Sequence, residues 1–144
     1  TMIIRKLLSA AILAVSLATP AVASTAADSI PAGVQELKRG ETIDIKKAPG
    51  HLVIIDFNAT WCGPCRRFSP IFKAAAQKFK NEVEFVSVDI DRHRDFAQSL
   101  GITSVPTLLF IRADGKLFSW VGFLPQDEFF KAIEQLKSDK DVTE

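Results

Sequence analysis

Both cysteines of the chain lie in one stretch, Trp61-Cys62-Gly63-Pro64-Cys65, two residues apart and followed by Arg66 and Arg67. Thiols at this spacing can serve as a permanent crosslink, as half of a metal clamp, or as a pair that opens and closes. Exchange chemistry needs a thiolate, and a helix N-terminus favours one through its partial positive charge and its free backbone N–H groups. Cys62 stands where such a helix would begin. Pro64 falls in the first turn, where a missing N–H costs nothing, and Gly63 allows the backbone to turn sharply. Cys65 then lies on the same helical turn, within reach of the Cys62 sulfur. In this arrangement Cys62 attacks a substrate disulfide and Cys65 resolves the mixed disulfide. Asp56 offers the Cys65 proton a destination: it sits inside the apolar run Val53-Ile54-Ile55-Asp56-Phe57, where burial raises a carboxyl pKa. The competing reading makes Asp56 a strand-end residue facing solvent.

The other two readings of the cysteines fare less well. A zinc site would need His51 and His93 as further ligands, but their spacing matches no finger pattern. His51 would also open the strand whose far end carries Cys62, ~15 to 20 Å away at ~3.3 Å per residue. A permanent link, in a non-enzymatic binding module, would close a loop too short to constrain the unfolded chain strongly. With the dithiol as redox centre, no cofactor or metal is expected.

The elements that would position these residues follow from periodicity. His51 to Phe57 is a continuous apolar, β-branched run, the pattern of a central strand buried on both faces. After Cys62 the period changes: Phe68, Ile71, Phe72, Ala75 and Phe79 predict an amphipathic helix to about Lys80, kinked at Pro70. So the cysteines sit where a buried strand hands over to a helix. Val83 to Ile90 alternates as a strand, and Arg92 to Leu100 reads as a short helix stopped by Gly101. Pro106 to Arg112 and Lys116 to Val121 read as a hairpin about Ala113-Asp114-Gly115, and Gln126 to Leu136 as a closing helix with Phe129, Phe130, Ile133 and Leu136 inward. Upstream, Val34 to Arg39 reads as one or two helical turns ended by Gly40, and Thr42-Ile43-Asp44-Ile45 as a short edge strand. Parallel crossovers plus a terminal hairpin predict an α/β fold with a central mixed sheet and helices on both faces, its site at the carboxyl ends of the parallel strands. Phe118 and Trp120 alternate with Leu117, Ser119 and Val121, and the sequence does not say which set faces outward. The eleven Phe residues read mainly as core.

A chain of 144 residues, 47% apolar, supports one domain. With 18 basic and 17 acidic residues and no long basic run, nothing points to nucleic acid. Arg5 and Lys6 precede the apolar run Leu7 to Leu17, then Pro20 and Ala21-Val22-Ala23, the layout of a secretory signal cleaved after Ala23. The alternative is an uncleaved anchor facing the periplasm, for which the run is short. The expected organisation is a signal over 1–23, a linker over 24–40, the redox domain over 41–138 and a polar tail over 139–144.

Asp56-Phe57, Trp61-Cys62-Gly63-Pro64-Cys65, Pro70, Val105-Pro106-Thr107 and Gly122, taken in order, resemble the thioredoxin family over roughly residues 40 to 138, in a form that looks exported to the periplasm. The resemblance implies a thioredoxin fold, Cys62 as nucleophile, Cys65 as resolving cysteine and Asp56 as buried acid. It also implies a cis peptide at Val105-Pro106 and a docking ledge formed by Trp61, Gly63, Pro64, Val105, Pro106, Gly122 and Phe123, on which an extended substrate lies in strand-like fashion. Two positions depart from the family pattern: Asn58 replaces a tryptophan, and Ser87 replaces a lysine that would pair with the buried acid. The pKa of Asp56 is expected to be higher without that cation. The implied activity is reduction of disulfides in exported proteins, with electrons from a membrane or periplasmic donor and a single chain as the working unit. A disulfide oxidase or isomerase is the alternative within the same chemistry.

Overall fold

The computed structural model describes residues 29–138. The expected signal, the first part of the linker and the polar tail lie outside the described residues. Along the described chain run β1 (Val34–Glu36), β2 (Leu52–Asn58), α1 (Gly63–Lys78), β3 (Val83–Asp89), α2 (Arg94–Ser99), β4 (Thr107–Ile111), β5 (Leu117–Val121) and α3 (Gln126–Lys137). The strands form one sheet in the order β1-β3-β2-β4-β5. β1 and β2 run parallel to β3, β4 is antiparallel to β2, and β5 is antiparallel to β4.

The run that lacks polar alternation is indeed central, with every residue from Leu52 to Phe57 buried. Alternate side chains leave β2 in opposite directions. Leu52 and Ile54 join Phe85, Leu108 and Phe110 beneath α1 and α3, while Val53, Ile55 and Phe57 join Val88, Leu109 and Ile111 beneath α2. The first layer is an aromatic cluster: Phe68 meets Phe129 edge to face at 5.2 Å, and Phe72 meets Phe85 at 5.3 Å. Of the inward set expected on α3, Phe129 and Ile133 are fully buried, and Phe130 and Leu136 pack half-buried against them. Pro70 sits inside α1 on its exposed face, and the helix continues through it.

The N-terminal expectations are corrected. Val34–Glu36 is a strand rather than helical turns, because the free side of β3 offers it a ladder: Val34 pairs with Phe85, Glu36 with Ser87, and Leu37 N–H donates to the Ser87 carbonyl at 3.0 Å. Three residues cannot repay the nucleation of a helix, but they can extend an existing sheet. Thr42 to Ile45 forms no strand. Its Ile43 and Ile45, with Leu37, turn their side chains onto the core layer beneath α2.

Candidate active site

Four strand ends converge at one end of the sheet. Phe57 of β2 pairs with Thr107 of β4, Asn58 with Asp89 of β3, and Thr107 with Val121 of β5. The loops beyond these ends therefore meet, although their residues are far apart in the chain.

Cys62 is the N-cap of α1, in extended conformation with φ −85° and ψ 113°. Its sulfur accepts a hydrogen bond from Cys65 N–H at 3.2 Å, its own N–H donates to Ala59 O, and its carbonyl accepts from Arg66 N–H. Cys62 and Cys65 are joined as a disulfide and are both buried, packed against Ala59, Ile90 and Val105. Pro64 lies in the first turn, as expected. Gly63 does not make the sharp turn expected of it: it is the first helical residue, is absent from the glycines with positive φ, and a Cβ there would meet nothing within 4 Å. Cys62, in its extended conformation, makes the entry into the helix. What Gly63 contributes is open space beside the disulfide.

The Val105–Pro106 peptide is cis, and the Val105 carbonyl oxygen lies 3.7 Å from Cys62 Sγ. Thr107 hydroxyl donates to Ser104 O at 2.7 Å, tying the loop back on itself. Gly122 has φ +97°, a conformation that disfavours a side chain, and its N–H donates to Pro106 O at 2.8 Å. Trp61 is 66% exposed, and its indole N–H donates to Asp91 Oδ2 at 3.0 Å. Sequence reasoning missed Asp91; the available signal was an acid just past a strand that ends at the site. Arg67, the second of the pair after the cysteines, places its guanidinium 5.8 Å from the Phe123 ring centroid.

Asp56 is 4% exposed, and its Oδ1 receives no hydrogen bond from the described protein groups. Burial pushes its pKa up from 3.8 to about 7, against a smaller lowering by the Asn58 side chain. The Asn58 amide also donates to Ser87 Oγ at 2.8 Å and to the Asp56 carbonyl at 3.1 Å, so the two departures from the family pattern hydrogen-bond to each other. A cleft of about 310 Å³ is lined by Asp56, Cys65, Asn58, Ser69 and Ser87, with Lys73 and Glu36 also on its wall. Cys65 faces this cleft, and Cys62 is not among its lining residues. The histidines of the zinc reading are engaged elsewhere: His51 Nε2 with Glu84 at 2.8 Å, and His93 Nε2 with Leu37 O at 2.9 Å.

A cysteine pair capping a helix, beside a cis-proline loop at the end of a mixed α/β sheet, defines a dithiol–disulfide exchange protein. The thioredoxin family model matches residues 41–135. A thioredoxin from Borreliella burgdorferi is 47% identical over 81 residues, which are 56% of this chain and 69% of that protein. An H-type thioredoxin from Picea mariana is 39% identical over 74% of this chain and 81% of its own. Among solved structures, chloroplastic thioredoxin z matches with a TM-score of 0.66 at 28% identity, covering 76% of this chain and 98% of its own. Malassezia sympodialis thioredoxin matches at 0.64 and 32%, covering 76% and 96%. The chain belongs to the thioredoxin family and is a thiol–disulfide oxidoreductase that acts on protein disulfides.

Proposed function

We propose that the protein is an exported reductase that opens disulfides in other exported proteins, with the periplasm as its compartment. The observation that carries the division of labour is that Cys65 shares a cleft with Asp56, while Cys62 caps α1 and lies beside the Val105 carbonyl. Trp61, Gly63, Pro64, Val105, Pro106 and Gly122 form the ledge for an extended substrate. Cys62 thiolate attacks one sulfur of the substrate disulfide; that S–S bond breaks, a mixed disulfide forms, and the first substrate sulfur leaves and takes up a proton. Asp56 then accepts the Cys65 proton, and Cys65 attacks Cys62 Sγ. The mixed disulfide breaks and the second substrate sulfur leaves as a thiol. The substrate gains two electrons and two protons, and Cys62–Cys65 becomes the disulfide. A membrane or periplasmic dithiol donor restores the reduced pair. The site is complete within one chain, so a monomer suffices for turnover, and no nucleic acid takes part.

Replacing Cys65 by Ser tests the cycle: the variant should accumulate mixed disulfides through Cys62, and Cys62→Ser should form none. Accumulation through neither cysteine would remove the exchange mechanism. The direction is tested by redox titration. A midpoint near about −270 mV supports a reductase, and one near about −120 mV would make the protein an oxidase.

A further inference from the structure

We propose that β5 is the seam of a weak, symmetric homodimer, in which β5 pairs antiparallel with β5 of a second copy about Ser119. Among the described residues the strand has no partner on its outer side. Natural sheet edges are usually blunted by charge, proline or a bulge. β5 uses none of these: Leu117-Phe118-Ser119-Trp120-Val121 carries no charge, and its register with β4 is unbroken. Leu117 is 46% exposed, Phe118 43%, Trp120 45% and Val121 64%. The opposite edge, β1, spans three residues and exposes Gln35 and Glu36.

Backbone parity selects the partner register. Arg112 N–H donates to Lys116 O at 2.9 Å, and Gly122 N–H donates to Pro106 O at 2.8 Å. Even-numbered residues of β5 therefore bond inward to β4, and Leu117, Ser119 and Val121 turn their N–H and C=O groups outward. An antiparallel copy centred on Ser119 sets Ser119 against Ser119 and Leu117 against Val121. All are outward-bonding residues, so the seam carries about six intermolecular hydrogen bonds. Phe118 then faces Trp120 of the other copy in the non-hydrogen-bonded pairs, where Cα atoms come to about 4.5 Å and side chains touch most closely. Those aromatics lie on the α3 side, over a groove walled by Phe110, Leu124 and Leu136 and rimmed by Glu128. Lys116 alternates onto the same face. Antiparallel pairing carries it, 3.7 Å from its own Asp114, past Gly122 of the other copy on the face that Glu128 rims, so charges of opposite sign share that face at both ends of the seam.

The exposed apolar side chains amount to about 400 Å² per copy, against about 800 Å² per partner in a standard interface. A seam of half the standard size places the dimer among weak, transient associations that form at high concentration. The cysteines lie off the seam, which meets the docking ledge only at its Gly122 corner.

Sedimentation velocity on the full chain from about 5 µM to about 1 mM tests the seam. The expected result is a concentration-dependent shift from monomer to dimer. Ser119→Lys sets a charge against its own image and should raise the midpoint at least about tenfold while leaving turnover on a protein disulfide unchanged. A second measurement does not depend on that variant folding. Ser119→Cys, in a background with Cys62→Ser and Cys65→Ser, should crosslink under mild oxidant, since opposed Cα atoms at about 5.5 Å suit a disulfide. Lys131→Cys, on the exposed face of α3, is the control. Monomer throughout, a dimer that Ser119→Lys leaves intact, or equal crosslinking at 119 and 131 would each overturn the proposal. So would binding to phosphatidylglycerol vesicles that Ser119→Lys abolishes in the absence of self-association, which would assign β5 to a lipid surface.

Discussion

Asp56 ionises against its surroundings, because the central strand holds its carboxyl between apolar layers and no cation is among the groups that shift it. The folded state keeps a proton that the unfolded chain releases near pH 3.8. Stability therefore falls as pH rises from about 4 to about 7 and levels off above. The rise in pKa to about 7 corresponds to at most about 4 kcal/mol. Asp56→Asn removes the proton exchange, so it should stabilise the protein at pH 8 by up to that amount and have little effect below pH 4. Urea unfolding of both proteins across the range reads this directly, and parallel pH curves would sink the assignment. The same variant should slow turnover about a hundredfold at neutral pH, because Cys65 loses its proton acceptor. Ser87 pairs with Asp56 across β2 and β3, and it lines the same cleft. A cation placed there favours the carboxylate, so Ser87→Lys should move the Asp56 midpoint, followed by NMR of its carboxyl carbon, to lower pH. An unmoved midpoint would mean that the lysine side chain turns out to solvent.

At the level of elements, Gly122 joins the hairpin to α3 with a positive φ while its N–H holds Pro106. Gly122→Ala would force a side chain into that conformation and should destabilise the fold by about 1–2 kcal/mol, measured by urea unfolding. An unchanged midpoint would show that the corner relaxes without loss. The elements that position the site were readable because each carries a strong local pattern: the apolar run of β2, the 3.6-residue period after Cys62 and the turn at Asp114-Gly115. The N-terminal region was misread because its conformation is decided by a distant partner. Val34–Glu36 becomes a strand through Phe85 to Ser87, and Ile43 and Ile45 serve the core without forming a ladder. Local alternation carries no record of either fact. At the site the placement of the cysteines at a helix start and the burial of Asp56 were legible from type and spacing, whereas the Trp61–Asp91 hydrogen bond was not, since it joins two exposed side chains across separate loops. The role given to Gly63 failed for a related reason: a glycine beside a helix start suggests a turn, but Cys62 adopts an extended conformation that any residue can reach.

Across the whole molecule, the sheet turns separate chain segments into one redox centre, and the stability of the fold is thereby linked to the state of the cysteines. Because β2 and β4 are antiparallel neighbours, the end of one strand and the start of the other bring Cys62 beside Val105. Any preference of this folded surround for the disulfide or the dithiol must appear as a difference in global stability between the two forms, since the four states close a thermodynamic cycle. Chain entropy gives a sign and a small size: the loop between Cys62 and Cys65 is short, so closing it restricts the unfolded chain only modestly and favours the oxidised fold by about 2 kcal/mol, the low end for a disulfide. A reductase needs that sign, because a fold that favours its own disulfide yields electrons readily. A strong oxidant requires the reverse, with its reduced form stabilised. Urea unfolding at pH 7, with and without reductant, should therefore find the oxidised protein more stable by about 2 kcal/mol or more, displacing the midpoint of the folded pair to a potential about 40 mV or more below that of the unfolded pair. A reduced form more stable than the oxidised one would reverse the direction of electron flow proposed for this chain while leaving its fold and its family intact.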